Sequence, residues 1–332
     1  SKDAPMAIVY SEKLLEHSQW PDHPESPLRL KTLRKKLEKE GLWKNVVGPD
    51  SLPDEALLRV HTEEHVERVR MGGDYPVDPD TFIHENTYEL AKISAAVAVK
   101  AVEIAAGGEP SVALTRPPGH HAGRNRIGGF CYFNNVAVAV AAAGKRTAVI
   151  DLDAHHGNGT EEIFYDTDDV FVISTHEADF YWDSGYVERT GEGKGSRYNV
   201  NIPIPAGAGN RTFLAAMDEI IIPIVKKYEP ELIVVSLGVD AHYCEPNAHM
   251  QMNTDGYVEL CRRLFDISEG RIAFVLEGGY HLRATAEVVA GVLAMIEGRT
   301  IKAEYNEDRC EQGSGRKAVR KAKEYLSKYW DI

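Results

Sequence analysis

A chain of 332 residues can bury a large core, and 43% hydrophobic with 27% charged residues is the balance of a folded globular protein, not of a disordered or fibrous one. Its formal net charge of −13 argues against broad nucleic-acid binding, which calls for a basic face. No apolar stretch approaches the roughly 20 residues that span a bilayer, and Ser1 to Pro5 lead into no long apolar region, so neither a membrane span nor a secretory signal is expected.

Along the chain, short apolar runs alternate with helical patterns. Candidate strands lie at 7–10, 111–114, 147–152, 170–173, 198–202, 232–237 and 272–276. Candidate helices lie near 27–40, 62–70, 87–106, 133–143, 211–227, 254–267 and 284–297. Continuous apolar strands separated by helices indicate a mostly parallel sheet covered on both faces. There is no internal repeat and no low-complexity linker. The expectation is α/β: one doubly wound domain over residues 1–332. Residues 315–330 read as a basic amphipathic helix, with Arg316, Lys317, Arg320, Lys321 and Lys323 around an apolar stripe of Val319, Ala322, Tyr325 and Leu326. That stripe is expected to pack on the domain. The four cysteines, Cys131, Cys244, Cys261 and Cys310, form no C-x-x-C pair, which suits a reducing cytoplasm and a cytoplasmic location.

Polar chemistry gathers where the predicted strands stop. Arg116-Pro117-Pro118-Gly119-His120-His121 follows the strand at 111–114, and Asp151-Leu152-Asp153-Ala154-His155-His156-Gly157-Asn158-Gly159 closes the one at 147–152. Asp240 follows 232–237, and Glu277-Gly278-Gly279-Tyr280 follows 272–276. Sites in open α/β sheets form beyond the carboxyl ends of the strands. In extended backbone, Asp153 and His155 share a face. With Asp240 they offer the mixed oxygen and nitrogen donors that suit zinc, and three protein ligands leave a position open for catalysis. Adjacent His120 and His121 suit a general base and an electrostatic helper. Asp151 is either an outer-shell carboxylate or a helix cap, and Asn158 either a cap or a partner for one of the tandem histidines. The Tyr280 phenol is a candidate oxyanion donor. His156, His176, His242 and His249 read as structural or rim residues.

These motifs, together with Gly128-Gly129-Phe130-Cys131-Tyr132-Phe133-Asn134-Asn135 and His23-Pro24-Glu25-Ser26-Pro27-Leu28-Arg29-Leu30, closely resemble the zinc-dependent histone deacetylases. The prokaryotic deacetylase-like amidohydrolases and the acetylpolyamine amidohydrolases belong to that group. The likeness runs from about Val9 to about Gly298. It implies an arginase-like α/β fold and a zinc ion on Asp153, His155 and Asp240, with iron(II) as a compatible substitute. It implies His121 as base and acid, His120 as its electrostatic neighbour, Asp151 as that histidine's partner and Tyr280 as the transition-state donor. Phe130 and Tyr181 would wall an acyl tunnel, the Gly129 carbonyl would receive the substrate amide, and Asp80 would hold the substrate backbone. Asn247 and Gly278 complete the implied substrate contacts. Potassium or sodium would sit by Asp151, Asp153, His155 and Ser174, and a second such ion by Phe164, Thr167, Val170 and Tyr198.

The chain departs from the family pattern at two places. Asn158 stands where class I enzymes carry Asp, which resembles class II and prokaryotic relatives. Without that negative charge His121 should be harder to protonate. Cys244-Glu245-Pro246-Asn247 replaces a common Gly-Asp-Pro-Leu at the tunnel mouth. The implied activity is hydrolysis of an acetylated lysine in a peptide or protein, or of another acetylated primary amine such as an acetylpolyamine, with release of acetate. A non-catalytic acyl-lysine sensor and a binuclear manganese ureohydrolase are the competing readings. The second lacks the paired aspartate, because Ala241 and His242 follow Asp240. The 176–197 loop, with Trp182, Glu188 and Glu192, is a candidate for narrowing the entrance, and a homo-oligomer stays open.

Overall fold

The computed structural model describes residues 6–181, 183–311 and 314–332. The expectations for residues 1–5 and for Trp182 lie outside them. Among the described residues there are ten strands: β1 (Ala7–Val9), β2 (Val46–Val47), β3 (Tyr75–Asp78), β4 (Thr81–Ile83), β5 (Ser111–Ala113), β6 (Thr147–Asp151), β7 (Val170–Glu177), β8 (Asn199–Ile204), β9 (Leu232–Leu237) and β10 (Ile272–Leu276). Eight of them form one sheet in the order β2-β1-β5-β10-β9-β6-β7-β8, with every pairing parallel. β3 and β4 form a separate antiparallel hairpin.

Every residue of β6, β9 and β10 is buried. A strand buried on both faces must be apolar at successive positions, and for that reason these runs read as continuous rather than alternating. The helices that cover them are α1 (Leu28–Lys39), α2 (Asp54–Leu58), α3 (Glu63–Met71), α4 (Thr87–Ala106), α5 (Asn135–Ala143), α6 (Asn158–Phe164), α7 (Asn210–Ala216), α8 (Ile222–Tyr228), α9 (Thr254–Ile267), α10 (Leu282–Ile296) and α11 (Gly315–Leu326). The 20 residues of α4 lie across β1, β5 and β10 and against α5. α10 packs between α1 and α9 and is buried at every position from Ala284 to Ile296. None of the described helices is long and apolar enough to cross a membrane.

Three differences from the predicted elements have clear causes. β7 continues to Glu177, past the expected end at residue 173, because Ser174, Thr175, His176 and Glu177 go on pairing with β8. Their polarity mimics a loop, yet the Ser174 hydroxyl and His176 Nδ1 satisfy each other at 2.8 Å. The helix predicted over 211–227 is α7 and α8 joined by a π turn at Met217–Ile221. Pro223 has no N–H to give that ladder, and the wider turn accommodates the gap. The pieces α2, α6, β2 and the β3–β4 hairpin escape prediction because they are too short to show a period.

α11 lies on α7 and on β8, the edge strand of the sheet, with Val319, Ala322 and Leu326 buried. Covering an edge strand removes an unpaired row of backbone groups from solvent. Just beyond the helix, the Trp330 indole N–H donates to the Arg197 carbonyl at 3.1 Å, and its ring centroid is 5.2 Å from that of Phe171. Trp330→Ala should therefore lower stability by about 3 kcal/mol, read as a reduced urea midpoint with an unchanged m-value.

Candidate active site

Four neighbouring strands, β5, β10, β9 and β6, end side by side, and their following segments meet in one cavity of about 450 Å³. That volume suits a small ligand. Asp153 and His155 come from the segment after β6 and Asp240 from the segment after β9. Their ligand atoms all lie within 4.8 Å of one another. His155 Nδ1 is 2.9 Å from Asp240 Oδ2 and 3.2 Å from Asp153 Oδ1. A tetrahedral ion with ligands at about 2.0–2.2 Å keeps them roughly 3.3–3.6 Å apart, so the three donors fit a zinc-like ion with small adjustments. The opposite ring nitrogen of His155, Nε2, donates to the Asn247 carbonyl at 3.1 Å. That bond occupies Nε2 and leaves Nδ1 facing the carboxylates, the support that a metal-bound imidazole would need. No other group of three or more such residues among those described gathers in this way.

The carboxylates are fixed by backbone N–H groups. Asp153 accepts from His155 and Gly278, at 2.8 and 2.9 Å, and Asp240 accepts from Ala154 at 2.7 Å. Gly278, expected among the substrate contacts, directs its N–H at Asp153 and is not among the residues lining the cavity.

His120 and His121 lie with ring centroids 4.0 Å apart, tilted by 41°, and their proton affinities shift in opposite directions. Burial depresses the His120 pKa, but the carboxylates of Asp151, at 2.8 Å from Nδ1, and Asp153 outweigh it and raise the value to about 10. Burial, and next the positive charge on His120, push His121 well below its usual range. The absent acidic residue at 158 is a smaller cause than the sequence suggests. The Asn158 amide oxygen accepts from His121 Nδ1 at 2.9 Å, so the free lone pair is on Nε2. Asn158 opens α6, whose N-cap is Gly157, and its side chain is spent on His121 instead of capping. Asp151, likewise, accepts from the Asp153 N–H and from His120.

The walls are aromatic. Residues 128–131 close a tight turn through reciprocal backbone bonds between Gly128 and Cys131. Positive φ at both Gly129 (57°) and Phe130 (72°) makes it a type I′ turn. A phenylalanine there is strained. It is held by the Thr81 hydroxyl, which accepts its N–H at 2.9 Å, and by Asp78, which accepts the Gly129 N–H at 3.0 Å. The turn thrusts Phe130 into the cavity, edge-on to Tyr280 at 5.6 Å. Tyr181 stacks on His121 with centroids 4.0 Å apart. Asp80 and Asn247 line the mouth, and neither side chain makes a hydrogen bond to the described residues.

The monovalent-cation candidates fall into two places. Ser174 pairs with Asp151 across β6 and β7, near Asp153 and His155. Phe164, Thr167 and Val170 cluster at the entry to β7, where the Thr167 N–H donates to the Phe164 carbonyl at 3.4 Å. Nearby, the Tyr198 ring packs on Phe171. The four cautioned histidines take protein partners: His156 with Ser184, His176 with Ser174 and Gly185, His242 with Tyr305, and exposed His249 with Glu177.

Several site residues are missed by sequence reasoning. Asp78 and Phe180 line the mouth. Asn134 and Asn135 hold the Ala122 and Pro117 carbonyls of the tandem-histidine segment, each at 3.0 Å. Arg29 donates to the Gly279 and Glu277 carbonyls at 2.9 and 2.7 Å and lies 4.7 Å from the Tyr280 ring centroid. Glu25 sits between Arg29 (2.8 Å) and Arg116 (2.9 Å). The His23–Leu30 motif was the available signal for these last two, but a motif names residues without saying what they touch.

Comparison with known proteins agrees with this geometry. A family model described as "Histone deacetylase domain" matches residues 23–296. The chain is 38% identical over 315 residues to a probable deacetylase of Archaeoglobus fulgidus, covering 89% of this chain and 87% of that protein. It is 38% identical over 299 residues to a histone deacetylase-like amidohydrolase of Pseudomonas aeruginosa, covering 83% and 76%. The crystal structure of the HDA15 HD domain superposes with a TM-score of 0.91 at 29% identity, over 98% of this chain and 95% of that one.

Burial alone would raise the Glu25 pKa, but the guanidiniums of Arg116 and Arg29 outweigh it and hold it down to about 2. Its stabilising ionisation is therefore complete above the unfolded carboxyl pKa of about 4.3 and is lost as pH falls through about 2. Glu25→Gln leaves two buried guanidiniums without their counter-charge and should cost about 3–5 kcal/mol at pH 7. The deficit relative to wild type should shrink in urea titrations as the pH drops below about 4.3.

Proposed function

The chain belongs to the histone deacetylase family, and we propose on that basis that it is a zinc-dependent deacetylase of linear N-acyl amides, acting on acetylated lysine side chains. The observation that carries this reading is the convergence of Asp153, His155 and Asp240 with His121 and Tyr280 on one cavity walled by Phe130 and Tyr181. Asp153, His155 and Asp240 would hold the ion. Iron(II) would serve by the same donor chemistry. When bound, the metal supplies Lewis acidity toward the acyl carbonyl and lowers the pKa of water. Three carboxyl groups, Asp151, Asp153 and Asp240, are almost fully buried together, two of them on the His155 imidazole, and a bound cation would offset their charge. Potassium or sodium near Asp151 and Ser174, and by Phe164, Thr167, Val170 and Tyr198, belongs to the same reading.

The residues then divide the work. His121 Nε2 takes the proton of the attacking water as the new C–O bond forms, with its other nitrogen anchored on Asn158. Burial keeps the Tyr280 pKa well above its usual value, so the phenol stays protonated and can donate to the developing oxyanion. His120, held charged by Asp151, lowers the proton affinity of His121 and so favours its handing the proton to the leaving amine as the C–N bond breaks. Acetate and the free amine result.

The mouth favours keeping a second substrate in view. Asp80 and Asn247 offer an unpartnered carboxylate and an unpartnered amide where apolar contact with a peptide would otherwise be made. An acetylated polyamine, which carries a further cation, would use them. A panel of acetyl-lysine peptides and acetylated diamines, ranked by kcat/KM, separates the two. Catalysis as such is tested with the zinc-loaded protein and an acetyl-lysine reporter. Tyr280→Phe should lower kcat by about 100- to 1000-fold with metal content and KM nearly unchanged. Asp240→Ala should remove the metal itself, measured by elemental analysis. Turnover that survives complete metal removal would overturn the scheme, and tight binding without any turnover would point to a sensor.

A further inference from the structure

We infer that Glu245 is a positioning residue that aims the Tyr280 phenol, an inference that rests on the deacetylase reading above. Glu245 lies in the segment after β9 and is 7% exposed. It forms no ion pair with the described residues. Its two oxygens are both spent on backbone N–H groups: Oε2 accepts from Tyr280 at 2.8 Å and Oε1 from Asn247 at 3.3 Å.

The Tyr280 bond matters because of what else holds that peptide. The carbonyl of the Gly279–Tyr280 peptide accepts from Arg29 Nε at 2.9 Å, and its N–H donates to Glu245. The two polar ends of one peptide unit are therefore both gripped, the carbonyl by a guanidinium and the N–H by a carboxyl group. This peptide needs the grip. Gly279 has φ of +121°, a conformation that side-chain-bearing residues avoid, and glycine rotates out of it easily. At the far end of the side chain, the Tyr280 hydroxyl has no hydrogen-bond partner among the described residues. Its aim is set at the base, by the orientation of the peptide and by the packing of the ring against Phe130 and Arg29.

The second arm extends the same control. The Asn247 N–H is held by Glu245, and the Asn247 carbonyl accepts from His155 Nε2. One carboxylate thus ties the segment that carries the oxyanion donor to the segment that orients a metal ligand. The Tyr280 arm is the shorter, and His155 is also fixed by its own backbone N–H to Asp153. Loss of Glu245 should consequently act on Tyr280 first.

A double-mutant cycle on the zinc-loaded full chain tests this, with kcat, KM, bound zinc and Tm measured for wild type, E245A, Y280F and the pair. E245A should lower kcat by about 10- to 100-fold, the scale of a misplaced catalytic group, with KM within about twofold and one zinc retained. In the Y280F background the same substitution should lower kcat by less than about twofold, because a residue acting through the phenol has nothing left to aim. E245Q keeps one acceptor and should fall between wild type and E245A, and it carries the cycle if E245A does not fold. Independent, multiplying effects of E245A and Y280F, wild-type kcat in E245A, or a loss that tracks missing zinc would each overturn the inference. A wild-type protein that is zinc-loaded and folded yet hydrolyses no acyl amide would instead remove the deacetylase reading, and the inference with it.

Discussion

Three carboxyl groups, on Asp151, Asp153 and Asp240, lie almost wholly out of water at the ends of two paired strands, β6 and β9. Like charges at such depth are tolerated only with cations and directed hydrogen bonds around them. Much of the site answers that demand. Backbone N–H groups of Asp153, Ala154, His155 and Gly278 point at the carboxylates, His120 pairs with Asp151, and His155 sits between Asp153 and Asp240, where a bound metal ion would offset their charge.

The same field separates two chemically identical side chains. His120 and His121 are neighbours in sequence and their rings lie close in space, yet one contacts a carboxylate and the other a neutral amide. Attraction to Asp151 and Asp153 raises the proton affinity of the first, while burial, and next the charge on the first, lowers that of the second. Under the proposed deacetylase reading, one dipeptide would supply a base and an electrostatic helper because each ring faces a different partner.

The scaffold works by knitting loops to one another. Asn134 and Asn135 hold the tandem-histidine segment, Asp78 and Thr81 hold the strained turn that presents Phe130, and Arg29 holds the peptides around Glu277 and Gly279. Each is a side chain satisfying the backbone of a distant segment. In a site built from loops at the ends of four strands, such bonds replace the ladders that fix the strands themselves. They also exclude alternative loop conformations, which would leave buried polar groups unpaired.

Much of this was legible in the residues alone. The apolar runs that became β6, β9 and β10 announced a parallel sheet, because burial on both faces forces continuous hydrophobicity. The spacing of Asp153 and His155, with Asp240 after another strand, announced a metal site, because strand geometry puts residues two apart on one side. The place of the tandem histidines and Tyr280 at the cavity followed from their position at strand ends. What sequence could not decide were partnerships across long separations: that the Gly278 N–H meets Asp153, that β7 runs on through polar residues, and that Glu25, Arg29, Asp78 and Glu245 are bound to the segments around the cavity. Local pattern reports what a residue is and which way a short segment turns. Which distant N–H or carboxylate it meets is fixed only when the strands are ordered and their loops brought within hydrogen-bonding distance, and that ordering belongs to the tertiary structure.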